Sequence, residues 1–158
     1  MKRFLRHMAV AVASGFGLGF SPFAPGTVGT VLGVPLAMMN ARIPVLWQFA
    51  CAIVLALLAV PVCDAAEKEF GVKDDRRIVA DEFLTFPLVV AGLPCVEKPW
   101  LLLLGFLTHR LMDVIKPPPA RRVQEMSGGL GVAGDDIVSA VYALALNHAI
   151  WAGVSHFI

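Results

Sequence analysis

The sequence predicts an all-α protein: a compact helical bundle, integral to a membrane, with short broken helices and one polar face where its charges gather. Three observations predict this. The 158-residue chain is 58% hydrophobic and only 16% charged, whereas soluble domains run nearer half apolar and a quarter charged. Its mean hydropathy is +0.75. Its apolar residues fall into separate runs divided by Pro-, Gly- and charge-rich punctuation. A chain in lipid must pair its backbone groups internally, which leaves helix as the available state for such runs. The length suits one domain, read as residues 1–158. A net charge of +1 gives no electrostatic case for a nucleic-acid partner. Cys51, Cys63 and Cys95 form no metal or redox spacing and are read as isolated thiols acting as small hydrophobes.

Each element follows in order. Residues 1–13, "MKRFLRHMAVAVA", suit a basic amphipathic helix on the membrane surface, with Lys2, Arg3 and Arg6 towards lipid phosphates. The run passes straight into a Gly/Pro loop without a convincing cleavage site, so it is read as retained. Residues 14–26 form a loop. Residues 27–40 are apolar and stop at "NARIP". Residues 43–63 are long enough to cross a hydrocarbon core of roughly 30 Å. Polar "DAAEKEFGVKDDRR" follows. Residues 83–94 are apolar, "LPCVEKP" turns the chain, and 99–115 return. Polar "KPPPARRVQEMSGGLGVAGD" precedes a final span, 136–157. The runs 27–40 and 83–94 reach only about 18–21 Å as helix, so they are tilted, half-inserted or buried among longer helices. The pair Ala52 and Ala56, and the series Ser139, Ala143 and Asn147, predict close helix packing.

Alternation fixes the sides. With the N-terminus inside, the loops 14–26, 64–82 and 116–135 share the inner side. Every Lys and Arg except Arg42 and Lys98 then lies inside or near it, as the positive-inside bias requires. Nearly all ionisable chemistry belongs to that side.

"IVADEFLTF" places Asp81 and Glu82 where a polar loop meets an apolar helix. "GVAGDDIVSA" places Asp135 and Asp136 at the equivalent point of another. Acids there cap helices and complement the dipole. Two adjacent pairs brought together would also suit magnesium, a hard cation that takes carboxylate oxygens and substrate phosphate. In "THRLMDVIKPPP", Arg110, Asp113 and Lys116 are spaced three apart and share a face. They read either as an internal Arg–Asp pair with a snorkelling Lys or as a cationic clamp for phosphate, with Asp113 orienting Arg110. "SGGLGVAGDD" and "SPFAPGTVGT" each precede a helix, and their free N–H groups could cradle an anion. Thr27 and Thr30 either cap the following helix or contact phosphate. The histidines, His109 included, are read as packing or surface residues.

These stretches, in this order, resemble the phosphatidylglycerophosphatase A family. The resemblance rests on "GFGLGFSPFAPGTVGT", "IVADEF", "RLMDVIKPPP" and "GGLGVAGDDIVSA", and runs from about Gly15 to Tyr142. It implies a helical, multi-pass protein of the bacterial inner membrane. Such a protein removes the terminal phosphate of phosphatidylglycerophosphate, with Mg2+, to give phosphatidylglycerol. By position it assigns Asp81, Glu82, Asp113, Asp135 and Asp136 to catalysis. Pro25, Gly26, Thr27, Arg110, Lys116, Gly128 and Gly129 fall to substrate binding, and Asp81, Glu82, Asp135 and Asp136 to the metal. Thr85 stands where glycine is expected and His109 where an aromatic is expected, while "RRVQEM" matches loosely. The expected partners are the lipid substrate and the bilayer, with the site facing the cytoplasm. Water is the expected nucleophile, since the Asp-x-Asp-x-Thr pattern of aspartyl-phosphate chemistry is missing. The rival class is a small ion-coupled transporter or channel, which would place its charges near mid-membrane rather than at helix mouths.

Overall fold

A computed structural model describes residues 2–157, with side-chain surroundings from residue 6 onward. Among the described residues there are seven α-helices, one 3-10 turn and no strand. They are α1 (Lys2–Ala13), the 3-10 turn Leu18–Phe20, α2 (Pro25–Asn40), α3 (Val45–Phe70), α4 (Ala80–Val89), α5 (Trp100–Ile115), α6 (Ala120–Gln124) and α7 (Gly129–Val154). The amphipathic α1 exists and packs on α3, with Arg6 exposed beside Glu69. The Lys2 and Arg3 side chains lie outside the described residues.

The short α4 is the hub. It packs against α2, α3 and α7, and all its residues but Glu82 are buried. Of the three options open to the 83–94 run, burial among longer helices is the one realised. Helix α2 lies on α4 through a stripe of small residues, Gly26, Gly29, Gly33 and Ala37, spaced three and four apart on one face. The approach leaves no room for side chains: a Cβ on Gly33 would sit 2.4 Å from Phe86 Cβ. Ala52 and Ala56 on α3, and Ser139, Ala143 and Asn147 on α7, are buried as their spacing predicts. Asn147 is also a polar tie. It accepts from Thr108 Oγ1 at 2.9 Å and donates to the Val89 carbonyl at 3.1 Å, linking α5, α7 and the end of α4.

Helix α4 spans 80–89 rather than 83–94, α6 lies in a stretch read as polar loop, and two long helices begin or end well away from the expected residues. Helix α3 runs to Phe70 rather than to residue 63, because "DAAEKEF" consists mostly of strong helix formers. It stops at Gly71, whose φ of 68° makes a left-handed cap. Helix α7 starts at Gly129, so most of the expected glycine loop is helix. The connection between α3 and α4 is pinned by Asp75. Its carboxylate accepts from Arg77 Nε at 2.8 Å and Nη2 at 2.6 Å, and these bonds hold its pKa below the usual carboxylate range. The Arg77 guanidinium lies 3.9 Å from the centroid of the Phe70 ring. Cys51, Cys63 and Cys95 are free thiols, as expected.

Helices α3 and α7 are long and apolar enough to cross a membrane, with mean hydropathies of 2.4 and 1.6 over their most apolar windows. Large apolar side chains stand exposed on α3 (Leu46, Trp47, Val54, Leu57) and on α5 (Leu103, Leu107, Leu111, Val114). Exposed apolar area of this extent marks a lipid or protein contact. Together these features suggest a membrane protein.

Candidate active site

Three helix beginnings and one helix end meet at the same end of the bundle. Pro25 and Gly26 open α2, Asp81 and Glu82 form the first turn of α4, Asp135 and Asp136 lie in the second turn of α7, and Asp113 closes α5. They surround a cavity of about 220 Å³, completed by Asp74, Arg76, Ile78, Lys116, Gln124 and Val132. Asp81 and Asp136, far apart in sequence, therefore face the same space.

The charges are arranged in two groups. In the first, Glu82 Oε2 accepts from Thr30 Oγ1 at 2.7 Å and lies 3.2 Å from Arg110 Nη1. In the second, Asp113, Asp135 and Asp136 each present an oxygen within 4.8 Å of the others. Arg110 joins the groups, since its Nη1 is also 3.0 Å from Asp113 Oδ2. Lys116 Nζ donates to Asp135 Oδ2 at 2.6 Å. Burial alone would lower the pKa of this ammonium, but the bond and charge of Asp135, with Asp113 and Asp136 behind it, raise it instead. Asp135 Oδ1 and Asp136 Oδ1 are buried without a hydrogen-bond partner. A buried, unpartnered carboxylate oxygen is costly. Two of them beside a third acid form a donor set that fits a hard divalent cation.

This arrangement revises several sequence expectations. Asp113 was expected to serve Arg110, and it does, but it also joins Asp135 and Asp136. Of the four expected metal ligands, Asp81 and Glu82 lie outside that close trio. Asp81 lines the cavity and its Oδ1 accepts the Glu82 N–H at 3.0 Å, a helix-start role consistent with capping. Asp135 and Asp136 sit too far into α7 to cap it. Gly128 and Gly129 do not line the cavity, and the Gly129 N–H donates to the Asp64 carboxylate at 3.2 Å. A Cβ on Gly129 would lie 1.9 Å from the Val60 carbonyl oxygen, so this glycine serves the crossing of α7 over α3. Thr27 and Arg110 do not line the cavity, whereas Pro25, Gly26 and Lys116 do; Arg110 stands behind its wall, paired with Glu82 and Asp113. Thr30 caps nothing and instead holds Glu82. Lys116 does not snorkel. Thr85 donates to the Asp81 carbonyl at 2.6 Å and so is satisfied within its own helix.

Sequence reasoning missed Asp74, Arg76 and Gln124, which line the cavity from polar stretches read only as loop. It also undervalued His109. This residue is fully buried, as a packing role requires, but its Nε2 stands 3.8 Å from Asp136 Oδ1. Its ring packs edge-on to Phe86.

Fold and site define a strongly apolar, all-helical protein with an acidic, cation-competent cavity at one end of its bundle and two basic side chains paired with the acids. Comparison with known proteins places it further. The chain belongs to the phosphatidylglycerophosphatase A family, whose model matches residues 11–151. It is 34% identical over 150 residues to the phosphatidylglycerophosphatase A of Escherichia coli, covering 93% of this chain and 81% of that protein. It is 34% identical to the Haemophilus influenzae protein of the same name, covering 88% and 86%. A Bacteroides thetaiotaomicron protein provisionally named a phosphatidylinositol-3-phosphatase is 32% identical, covering 88% and 91%. No solved structure matches the chain.

Proposed function

We propose that this protein is a phosphatidylglycerophosphatase. It hydrolyses the terminal phosphomonoester of phosphatidylglycerophosphate with Mg2+, as a multi-pass protein of the bacterial inner membrane whose site faces the cytoplasm. The observation that carries the reading is the convergence of Asp81, Asp113, Asp135 and Asp136 with Lys116 on one cavity, in a chain of this family. The site lies at helix ends on one side of the bundle, the placement that favours an interfacial enzyme over a carrier. A headgroup reaches it while the acyl chains stay in lipid.

Acids outnumber bases around the cavity, so a phosphate dianion would be repelled by the side chains alone. Asp113, Asp135 and Asp136 would hold the metal, which supplies positive charge to the phosphoryl group and to the attacking water. Arg110, kept between Glu82 and Asp113, and Lys116, kept on Asp135, are oriented before substrate arrives. Their charges oppose the negative charge that develops on the phosphoryl oxygens, the main source of catalysis in phosphoryl transfer. Asp81 takes the proton as the water oxygen bonds to phosphorus. The phosphorus–ester oxygen bond breaks, Asp81 passes that proton to the leaving oxygen, and the lipid alcohol and inorganic phosphate depart.

The test is release of inorganic phosphate from phosphatidylglycerophosphate in mixed micelles, with Mg2+ and with excess chelator. Release that needs the metal is expected. No release under either condition overturns the reading, and release indifferent to chelator removes the metal from it. Phosphatidylinositol 3-phosphate belongs in the same assay, and faster turnover of that lipid would reassign the substrate.

A further inference from the structure

Beside the acidic cavity lies a second of about 540 Å³, lined by Ile115, Lys116, the three prolines at 117–119, Arg121 and Arg122. Lys116 lines both. The two spaces are electrostatic opposites. The first is ringed by carboxylates, whereas the second has three cations and no acid in its lining. Three successive prolines offer no N–H groups, so an anion here must be recognised by side chains. The corner is anchored. Tyr142 donates to the Pro118 carbonyl at 2.8 Å, tying it to α7, and Arg121 Nη2 donates to the Ile115 carbonyl at 3.3 Å. Leu103, Leu107, Leu111, Val114 and Ile115 stand exposed on α5. The first four, spaced three and four apart, form one apolar track, and Ile115 beside Val114 carries it into the cavity lining.

We propose that this second cavity is the subsite for the lipid's phosphodiester, with Arg121 and Arg122 as its cations and the exposed face of α5 as the track for the acyl chains. The inference rests on the function proposed above. That substrate carries two phosphates of different charge. The terminal monoester is a dianion and suits a cavity of acids and metal. The diester is a monoanion, needs no metal, and suits guanidinium groups. With the diester at 121–122 and the monoester beyond Lys116, the headgroup bridges the cavities across the one residue they share.

The experiment measures KM and kcat for phosphatidylglycerophosphate in mixed micelles, together with inhibition by phosphatidylglycerol, which carries the diester alone. Wild type is compared with Arg121→Ala/Arg122→Ala and with Arg121→Lys/Arg122→Lys. In the alanine variant KM and the inhibition constant should rise together by about tenfold, the scale of charge-assisted bonds. The change in kcat should be much smaller, and the lysine variant should recover part of the loss. Unchanged KM and inhibition, or a fall in kcat alone, overturns the subsite. If the alanine variant fails to fold, the two single alanine variants decide by the same split. If wild type releases no phosphate from this lipid, the function itself fails and the subsite falls with it.

Discussion

Gly26→Ala should separate the site from the fold. Gly26 is the second residue of α2, and a Cβ there would lie 2.1 Å from Glu82 Oε1 and 3.0 Å from Glu82 Cδ. Ordinary contact begins near 3.4 Å, so the carboxylate must retreat by about 1.3 Å. It can, because it is the far end of a flexible side chain. In moving it gives up its bond from Thr30 at 2.7 Å and its pairing with Arg110 at 3.2 Å. The Thr30 bond is worth about 1.5 kcal/mol and the partly exposed Arg110 pair at most about 1 kcal/mol. Alanine returns up to about 1 kcal/mol of helix propensity, so the net loss of stability is modest. Function should suffer far more. Arg110 loses one of its two anchors, and a displacement of about 1 Å in a catalytic group can cost a hundredfold in rate. Phosphate release should therefore fall by about a hundredfold, while the thermal melt in detergent shifts by only a few degrees. Gly33→Ala is the contrast. Its Cβ would strike Phe86 Cβ at 2.4 Å, which only helix separation relieves, so stability and activity should fall together. Near-normal turnover in Gly26→Ala would refute the claim that Glu82 positions Arg110 for the reaction.

Asp136→Asn and Asp113→Asn should each lower Mg2+-dependent release by at least about a hundredfold, since even outer-shell partners of a metal cost about 10–100-fold. Both should also weaken Mn2+ binding by titration calorimetry, and unaltered binding would remove that residue from the metal site. Lys116→Ala leaves Asp135 buried without its cation and should cost about 2 kcal/mol, a partly exposed case of a broken buried pair. Because the folded state raises the Lys116 pKa, its contribution is complete below about pH 10 and lost as pH climbs through the folded value. The variant's melts should lack that alkaline loss. Gly129→Ala should destabilise by about 3 kcal/mol or more, because its Cβ would meet the Val60 carbonyl at 1.9 Å, and denaturant titration would show it.

What the sequence made legible was chemistry carried by residue type and local spacing. The apolar runs mark α2, α3, α4, α5 and α7. The three-residue spacing of Arg110, Asp113 and Lys116 marks a shared face, and the Asp81–Glu82 pair marks the start of α4. What it hid was tertiary cause. The glycines before Asp135 look like a loop because glycine disfavours helix. They are helical because α7 passes closely against α3 at Gly129 and against α6 and the turn after it at Gly131 and Gly134, constraints visible only once Val60, Val123 and Met126 are brought beside them. "DAAEKEF" looks like a loop because it is polar, yet its residues favour helix and only Gly71 ends it. His109 lies next to Arg110 in sequence but points to Asp136, and no local pattern reveals which neighbour a buried ring will meet.

The difference between the expected and observed acid groupings bears on mechanism. The sequence offers two tandem pairs, Asp81–Glu82 and Asp135–Asp136, and symmetry invites treating them as equivalent ligands. Adjacent helical residues, however, point about 100° apart, so whether both members of a pair face one point depends on what lies opposite them. Position resolves each pair differently. Glu82 turns to α2, where Thr30 takes it, and to Arg110, which makes it a holder of cations on side chains. Asp135 and Asp136 gain a third oxygen from Asp113 because the end of α5 crosses the second turn of α7. Arg110 contacts both groups, so the charge proposed to oppose the phosphate and the carboxylates proposed to gather the metal are mechanically joined. A cavity of this kind needs its cations placed before a dianion enters. That ordering follows from the excess of acid around the cavity, and it is why the proposed catalysis depends on Glu82 and Thr30 as well as on the carboxylates that face the substrate.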